Sequence, residues 1–122
     1  MITVSYEEYT NDIFRRPFTK TFGSLRSFED WFFGLCDRDY DRYISLPNPD
    51  RTDIWKDGPS RMEVNCMWTQ SKCYWVHMIS REGKIIFSDG KHTSGQKHWN
   101  EETKQLCRDM LERKVHPRFN FG

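Results

Sequence analysis

The segment between residues 89 and 100, DGKHTSGQKHWN, carries the residues whose types and spacing come closest to a known chemistry. Gly90 and Gly95 have the separation found in a phosphate-binding loop, where backbone N–H groups and a lysine hold phosphate. That motif continues with Lys and then Ser or Thr, whereas this chain has Gln96 after the second glycine and His98 after Lys97. The phosphate-binding cation and the magnesium-binding hydroxyl are both out of place. We therefore exclude nucleotide hydrolysis and interpret the segment as a polar strand-to-helix connection in which the two glycines allow turns.

The cations of this segment leave a weaker possibility open. Lys91, His92, Lys97 and His98 precede a predicted helix N-terminus and could hold a phosphate or carboxylate of a partner. A solvated loop is the interpretation we favour.

A metal centre is the second chemistry that the residue types suggest. In a predicted hairpin with Cys66 opposite Trp75 and Val64 opposite His77, one face carries Cys66, Cys73 and His77. A helix thiol, Cys36 before Cys107, could join them, because three thiolates and an imidazole suit tetrahedral zinc. The spacing lacks a C-x-x-C pair, so we expect no metal, and buried thiols instead.

The composition gives those thiols a structural role. The sequence contains no alanine and is 16% aromatic, and small side chains are needed to fill the gaps between large rings. Every cysteine falls on a predicted apolar face, where a thiolate nucleophile is unfavourable. His77, between Val76 and Met78, resembles a half-buried histidine more than a general base. We expect no enzyme, and neither a cofactor nor a catalytic residue.

The periodicity predicts an α+β fold made of an antiparallel sheet and two amphipathic helices. The predicted order is β-β-α-loop-β-β-β-α. It consists of an N-terminal hairpin (ITVSY and FTKTF), a helix after Ser27, a loop at 45–60, a three-stranded meander at 61–88 and a helix after Asn100. Ser27 is expected to cap the first helix and Asn100 the second. Residues 1–122 are predicted to form a single domain.

Charge and hydropathy limit the location and the class of partner. The net charge of +1 gives no overall bias towards nucleic acid or membrane, and no segment reaches the length of a membrane span. We expect a cytoplasmic protein, in which disulfides are disfavoured.

The charge is nevertheless uneven, and it suggests two contact surfaces. The first is acidic and lies around the proline-rich loop, with an isolated tryptophan: Asp37, Asp39, Asp41, Asp50, Asp53, Trp55 and Asp57. The second is basic and would contact phosphates, with one ring to stack on a base: Arg15, Arg16, Lys91, Lys97, Trp99, Lys104, Arg108 and Arg113.

The segment IIFSDGKHTSGQKHWNEE, followed by a basic helix and the ending HPRFNFG, resembles short accessory proteins of phages and integrative elements of Gram-positive bacteria. The resemblance covers residues 73–122, and the class includes anti-CRISPR proteins. The resemblance implies a small stoichiometric binder and not an enzyme. From the aspartates of the acidic 37–57 region we expect an inhibitor of a host protein such as a CRISPR effector nuclease, with that region facing a basic nucleic-acid channel. The alternative is a small nucleic-acid-binding module that uses the basic C-terminal half.

Overall fold

The computed structural model describes residues 1–10, 14–36, 42–51, 58–66 and 72–115. Within these ranges the chain forms seven strands and two helices. They are β1 (Ile2–Thr10), β2 (Phe14–Phe22), α1 (Leu25–Gly34), β3 (Arg42–Ser45), β4 (Met62–Cys66), β5 (Lys72–Arg81), β6 (Lys84–Ser88), β7 (His98–Trp99) and α2 (Glu101–Val115). The α+β prediction is confirmed, with β3 and β7 as two short strands that the sequence pattern did not indicate.

The antiparallel sheet has the strand order β2-β1-β5-β4-β3 and divides at β5. β1 pairs with one edge of β5, whereas the other edge is shared by β4, which pairs with residues 72–76, and β6, which pairs with residues 78–81. His77 lies at this division. The register with β1 also shifts there, because Ser5 pairs with Met78 and Tyr6 with Val76, so His77 is the extra residue of a β-bulge. Bulges commonly redirect a side chain, and the side chain at this bulge is the imidazole of His77.

One face of the sheet, here called the inner face, packs against both helices. Alternating apolar residues of the strands are buried together with residues of α1 and α2 in one cluster that includes Ile2, Val4, Met62, Val64, Val76, Ile79, Phe28, Phe32, Leu106 and Met110. Aromatic rings of α1 extend this cluster towards the first hairpin, where Trp31 contacts Tyr6 and Phe22. Burial of these large side chains is the main stabilising contribution to the fold.

The two helices begin at polar caps, one of which was predicted correctly. Asn100 caps α2, since its Oδ1 accepts a hydrogen bond from the Thr103 backbone N–H at 2.9 Å. The prediction of Ser27 as the α1 cap is wrong: the cap is Ser24, whose side chain accepts from the Ser27 N–H at 3.1 Å. The helix thus starts one turn earlier than the apolar pattern suggested. Serine stands at both positions 24 and 27, so residue type alone did not distinguish the two possible caps.

The predicted pairing of β4 with β5 is also wrong, by three residues. Val64 pairs with Tyr74 instead of His77, and Cys66 pairs with Lys72 instead of Trp75. Since side chains alternate between the two faces of a sheet, a register shift by an odd number of residues places side chains that were predicted to share a face on opposite faces. Cys73, Trp75 and His77 therefore do not share a face with Cys66.

Cys36 and Cys66 form a disulfide, with Cα atoms 5.7 Å apart and a sequence separation of 30. The expectation that disulfides are absent is wrong for this pair. The bond links the chain after α1 to the end of β4. It also conflicts with the cytoplasmic expectation, because reducing compartments keep thiols unpaired.

Neither helix in the described ranges is long and apolar enough to span a bilayer.

Candidate functional site

The face of the sheet opposite the helices, here called the outer face, carries polar and aromatic side chains in two rows. The strand register sets one row as Arg15, Tyr9, Cys73, Asn65 and Tyr43 across β2, β1, β5, β4 and β3. The next row contains Pro17, Glu7, Trp75, Glu63 and Ser45. Neighbours within a row lie close enough for their side chains to interact.

A buried ionic cluster lies where the sheet divides. His77 is 0% exposed, and its Nε2 lies 2.7 Å from Glu7 Oε1 while its Nδ1 lies 2.7 Å from Asp89 Oδ2. The Lys91 ammonium also bonds to Glu7 Oε1, and the Tyr9 hydroxyl donates to the same oxygen at 3.2 Å. A carboxylate only accepts hydrogen bonds, so an imidazolium with both nitrogens protonated satisfies both acids. The cluster joins β1, β5 and the segment after β6.

Glu7 is the residue on which this cluster depends. Burial by itself raises the pKa of its carboxyl, but hydrogen bonds from Lys91 and His77, together with their positive charges, outweigh burial and bring the pKa below its ordinary value. The carboxylate is thus kept ionised by its neighbours. Removing Glu7 would take a charged partner from both the buried imidazole and the Lys91 ammonium.

The connection after β6 is shaped so that Asp89 and Lys91 reach the cluster. The Asp89 backbone N–H donates to the His77 carbonyl at 3.0 Å, and Asp89 Oδ1 accepts from the Lys91 N–H at 3.0 Å. Gly90 has a φ of +99°, and a Cβ there would come within 3.2 Å of the Gly95 carbonyl. Only glycine fits this left-handed position. The interpretation of 89–100 as a strand-to-helix connection with glycine turns is confirmed for 89–97, where Gly95 also has a positive φ, of 85°, whereas His98 and Trp99 form β7.

The cluster is not arranged as a metal site. The imidazole ring lies between the two carboxylates, so their oxygens face opposite nitrogens and do not converge on one point. Among the described residues, no group of three His, Cys, Asp or Glu side chains could hold a metal ion. The four weak zinc candidates are separated, with Cys36 and Cys66 in the disulfide and Cys73 and His77 on the outer face.

Beside the ionic cluster, a cleft of about 300 Å³ opens on the outer face. Its lining comes from four strands and from the residue before β4, and consists of Tyr9, Arg15, Arg61, Glu63, Asn65, Cys73 and Trp75. The size is at the small end of the range of ligand pockets. It can take one or two side chains of a partner.

Two arginines stand over aromatic rings in this cleft. The Arg61 guanidinium lies 4.2 Å from the centre of the Trp75 ring, and the Arg15 guanidinium lies 5.0 Å from that of Tyr9. Their nearest carboxylates are at 3.8 Å (Glu63) and 3.7 Å (Glu7), which is too far for a hydrogen bond. Across the described ranges neither guanidinium makes a hydrogen bond, so their N–H groups remain available to a ligand.

Comparison of the chain with protein-family models, curated proteins and solved structures gives no match. The site must therefore be interpreted from its own geometry.

The predicted acidic surface falls mostly on residues that the structure does not describe. Asp37, Asp39, Asp41, Asp53, Trp55 and Asp57 lie outside the described ranges. Asp50 is described, and its carboxylate accepts from Arg108 Nε at 3.1 Å. This aspartate is exposed and is tied to α2.

The predicted basic surface does not form one continuous patch in the structure. Arg15 lies on the outer face, Lys91 is bonded to Glu7, and Arg16 and Lys97 are exposed elsewhere. Trp99 is in β7, with the Lys104 ammonium 5.9 Å from its ring centre.

The three residues of α2 that belong to the predicted basic surface are each paired with an acid. Lys104 lies 3.4 Å from Glu101, and Arg108 is bonded to Asp50. Arg113 donates to Asp30 at 2.8 Å. These pairs reduce the charge that α2 can offer to phosphate.

Sequence reasoning missed much of the site, including Glu7, Tyr9, Arg61, Glu63, Asn65 and Asp89. One available signal was the position of His77 within an apolar strand, since a buried imidazole requires polar partners from other elements. The sequence identified His77 and Lys91 as chemically capable residues but gave no indication that Glu7 joins them.

Proposed function

We propose that this chain is a non-enzymatic protein-binding module whose contact surface is the outer face around the cleft. The observation that carries the proposal is the grouping of Tyr9, Trp75, Arg15 and Arg61 on one exposed surface. Trp, Tyr and Arg dominate the energetically important positions of protein interfaces. Tyr43, 58% exposed and in the same cross-strand row as Tyr9, extends this surface towards β3.

The state of the titratable groups supports binding over catalysis. His77 is buried and has a carboxylate on each nitrogen, so it has no nitrogen available to take a proton from a substrate. Cys73 donates from Sγ to Glu63 Oε2 at 2.7 Å and lies four residues before His77 on the same strand, where a side-by-side nucleophile and base cannot form.

The partner we propose is a host defence protein, with an RNA-guided nuclease as the first to test. The resemblance to accessory proteins of mobile elements supports this choice. Six aspartates between residues 37 and 57 support it further, because an acidic segment complements a basic nucleic-acid channel.

The test is a pull-down of purified CRISPR effector by the full chain, with and without guide RNA. We expect a complex with the free effector that guide RNA weakens. Arg61→Glu should weaken it, whereas Arg26→Glu, an equal charge change on α1, should not. Asp39→Lys combined with Asp53→Lys tests the acidic segment separately. Failure to form a complex at micromolar concentration under both conditions removes this effector as the partner.

A nucleic-acid-binding module is the second candidate, and the two arginine–aromatic pairs favour it. Bases stack on aromatic rings and guanidinium planes, and such surfaces occur on exposed sheet faces. A titration of single-stranded DNA and RNA against salt tests this candidate. Phosphate-driven affinity falls steeply as salt rises, so affinity that is absent at low salt or insensitive to salt would exclude it.

A further inference from the structure

We propose that the cleft recognises a single carboxylate of the partner protein, held between the guanidinium groups of Arg15 and Arg61. This inference rests on the proposed function and specifies the chemical group that the outer face would bind.

The two guanidinium groups are positioned before any ligand binds. The Arg61 guanidinium lies over the Trp75 ring at 4.2 Å from its centre, and the Arg15 guanidinium lies over the Tyr9 ring at 5.0 Å. A planar guanidinium presents its N–H groups in a fork that matches the two oxygens of a carboxylate. Because these side chains are 53% and 59% exposed, the donors are accessible from solvent.

The acidic groups at the cleft already have donors of their own. Glu7 Oε1 accepts from Tyr9, His77 and Lys91, and Glu63 Oε2 accepts from Cys73. The Arg15 and Arg61 guanidinium groups make no hydrogen bond within the described ranges, and an incoming anion can accept from both of them.

The balance of charge favours one protein carboxylate over a nucleic-acid backbone. Arg15 lies 3.7 Å from Glu7 and Arg61 lies 3.8 Å from Glu63, so these acids would repel the many charges of a polyanion more than the single charge of one carboxylate. Three cations of the predicted basic surface on α2 are paired with acids: Lys104, Arg108 and Arg113. Asn65 also lines the cleft, and its amide can both donate to and accept from a peptide group of the partner.

The test uses the full chain labelled with ¹⁵N and a blocked Gly-Glu-Gly peptide, with Gly-Gln-Gly as the neutral control. We expect saturable shifts of the Arg15 and Arg61 Nε–Hε signals with the glutamate peptide. The glutamine peptide should bind about tenfold more weakly, as for loss of a charge-assisted hydrogen-bonded pair. Arg15→Gln or Arg61→Gln should weaken the glutamate peptide similarly, and Arg26→Gln should not. Backbone amide spectra of each variant verify that the fold is retained.

Each contrary result has a distinct meaning. Equal binding of both peptides, equal weakening by Arg26→Gln, or the absence of saturable shifts overturns the inference. Arginine-dependent binding of oligothymidylate in preference to the peptide assigns the cleft to nucleic acid and also overturns it. A protein complex that survives the combined Arg15→Gln and Arg61→Gln changes removes the carboxylate inference while leaving the proposed function intact. Peptide binding without any effector complex supports the carboxylate inference and removes this effector as the partner.

Discussion

Replacing Glu7 with glutamine should destabilise the fold strongly, because this side chain holds three elements together. Its Oε1 accepts from His77 at 2.7 Å and from Lys91, and its side chain is 6% exposed. Glutamine has the same shape and keeps one accepting oxygen, but its amide nitrogen can only donate. The substitution leaves the Lys91 ammonium and one imidazole nitrogen without a charged partner.

The expected magnitude follows from this loss. Removing one member of a buried ion pair costs about 3–5 kcal/mol, and the retained amide oxygen places Glu7→Gln near the lower end, at about 3 kcal/mol. For a chain of this size that corresponds to a fall in melting temperature of about 12 °C. Whole domains are stable by only about 5–15 kcal/mol, so the change is a large fraction of the total.

Thermal and urea unfolding monitored by circular dichroism measure this effect, and pH adds a second criterion. The pKa of Glu7 is lower in the folded chain than its ordinary value of 4.5. Its contribution is therefore complete above that value and is lost as the pH falls through the folded-state pKa. The difference between wild type and Glu7→Gln should be largest near neutrality and should shrink from about pH 5 downwards.

Glu112→Gln is the matched control, because Glu112 is exposed on α2 and should change stability little. A loss below about 1 kcal/mol for Glu7→Gln, or a loss that does not vary with pH, would refute the assignment of Glu7 as the centre of the cluster.

Three further predictions concern other parts of the fold. Reduction of the Cys36–Cys66 disulfide should destabilise the chain by about 3–4 kcal/mol on loop-closure entropy, measured as a lower melting temperature with dithiothreitol than without it; an unchanged temperature would contradict the bond. Tyr74 should ionise near pH 12 in an ultraviolet titration, because burial first, and then a hydrogen bond and the charge of Glu8, raise its pKa to about 12; Tyr74→Phe should remove that step and leave the other tyrosines unchanged. Asn100→Ala should cost about 1 kcal/mol through loss of the α2 cap, and Asn100→Asp should retain the stability that alanine loses.

The local sequence was sufficient to predict elements whose signals lie within one segment. The apolar spacing of α2 and its Asn100 cap were interpreted correctly, and so were the alternation of β1 and the turns at Gly90 and Gly95. These features depend on backbone geometry and on contacts a few residues apart. The same local signals were ambiguous for α1, where Ser24 and Ser27 both suit a cap and the structure uses the first.

Only the tertiary structure decided which faces and which charges meet. The pairing of β4 with β5 is a contact between strands, and its three-residue departure from the predicted register placed Cys66 and Cys73 on opposite faces. The bulge at His77 and the division of the sheet there depend on β1 and β6 together. Glu7 lies 70 residues from His77 in sequence, yet the two share a hydrogen bond. Side-chain alternation has a period of two, so a pattern fixes which residues share a face of their own strand, while the register against distant strands determines which partners they meet.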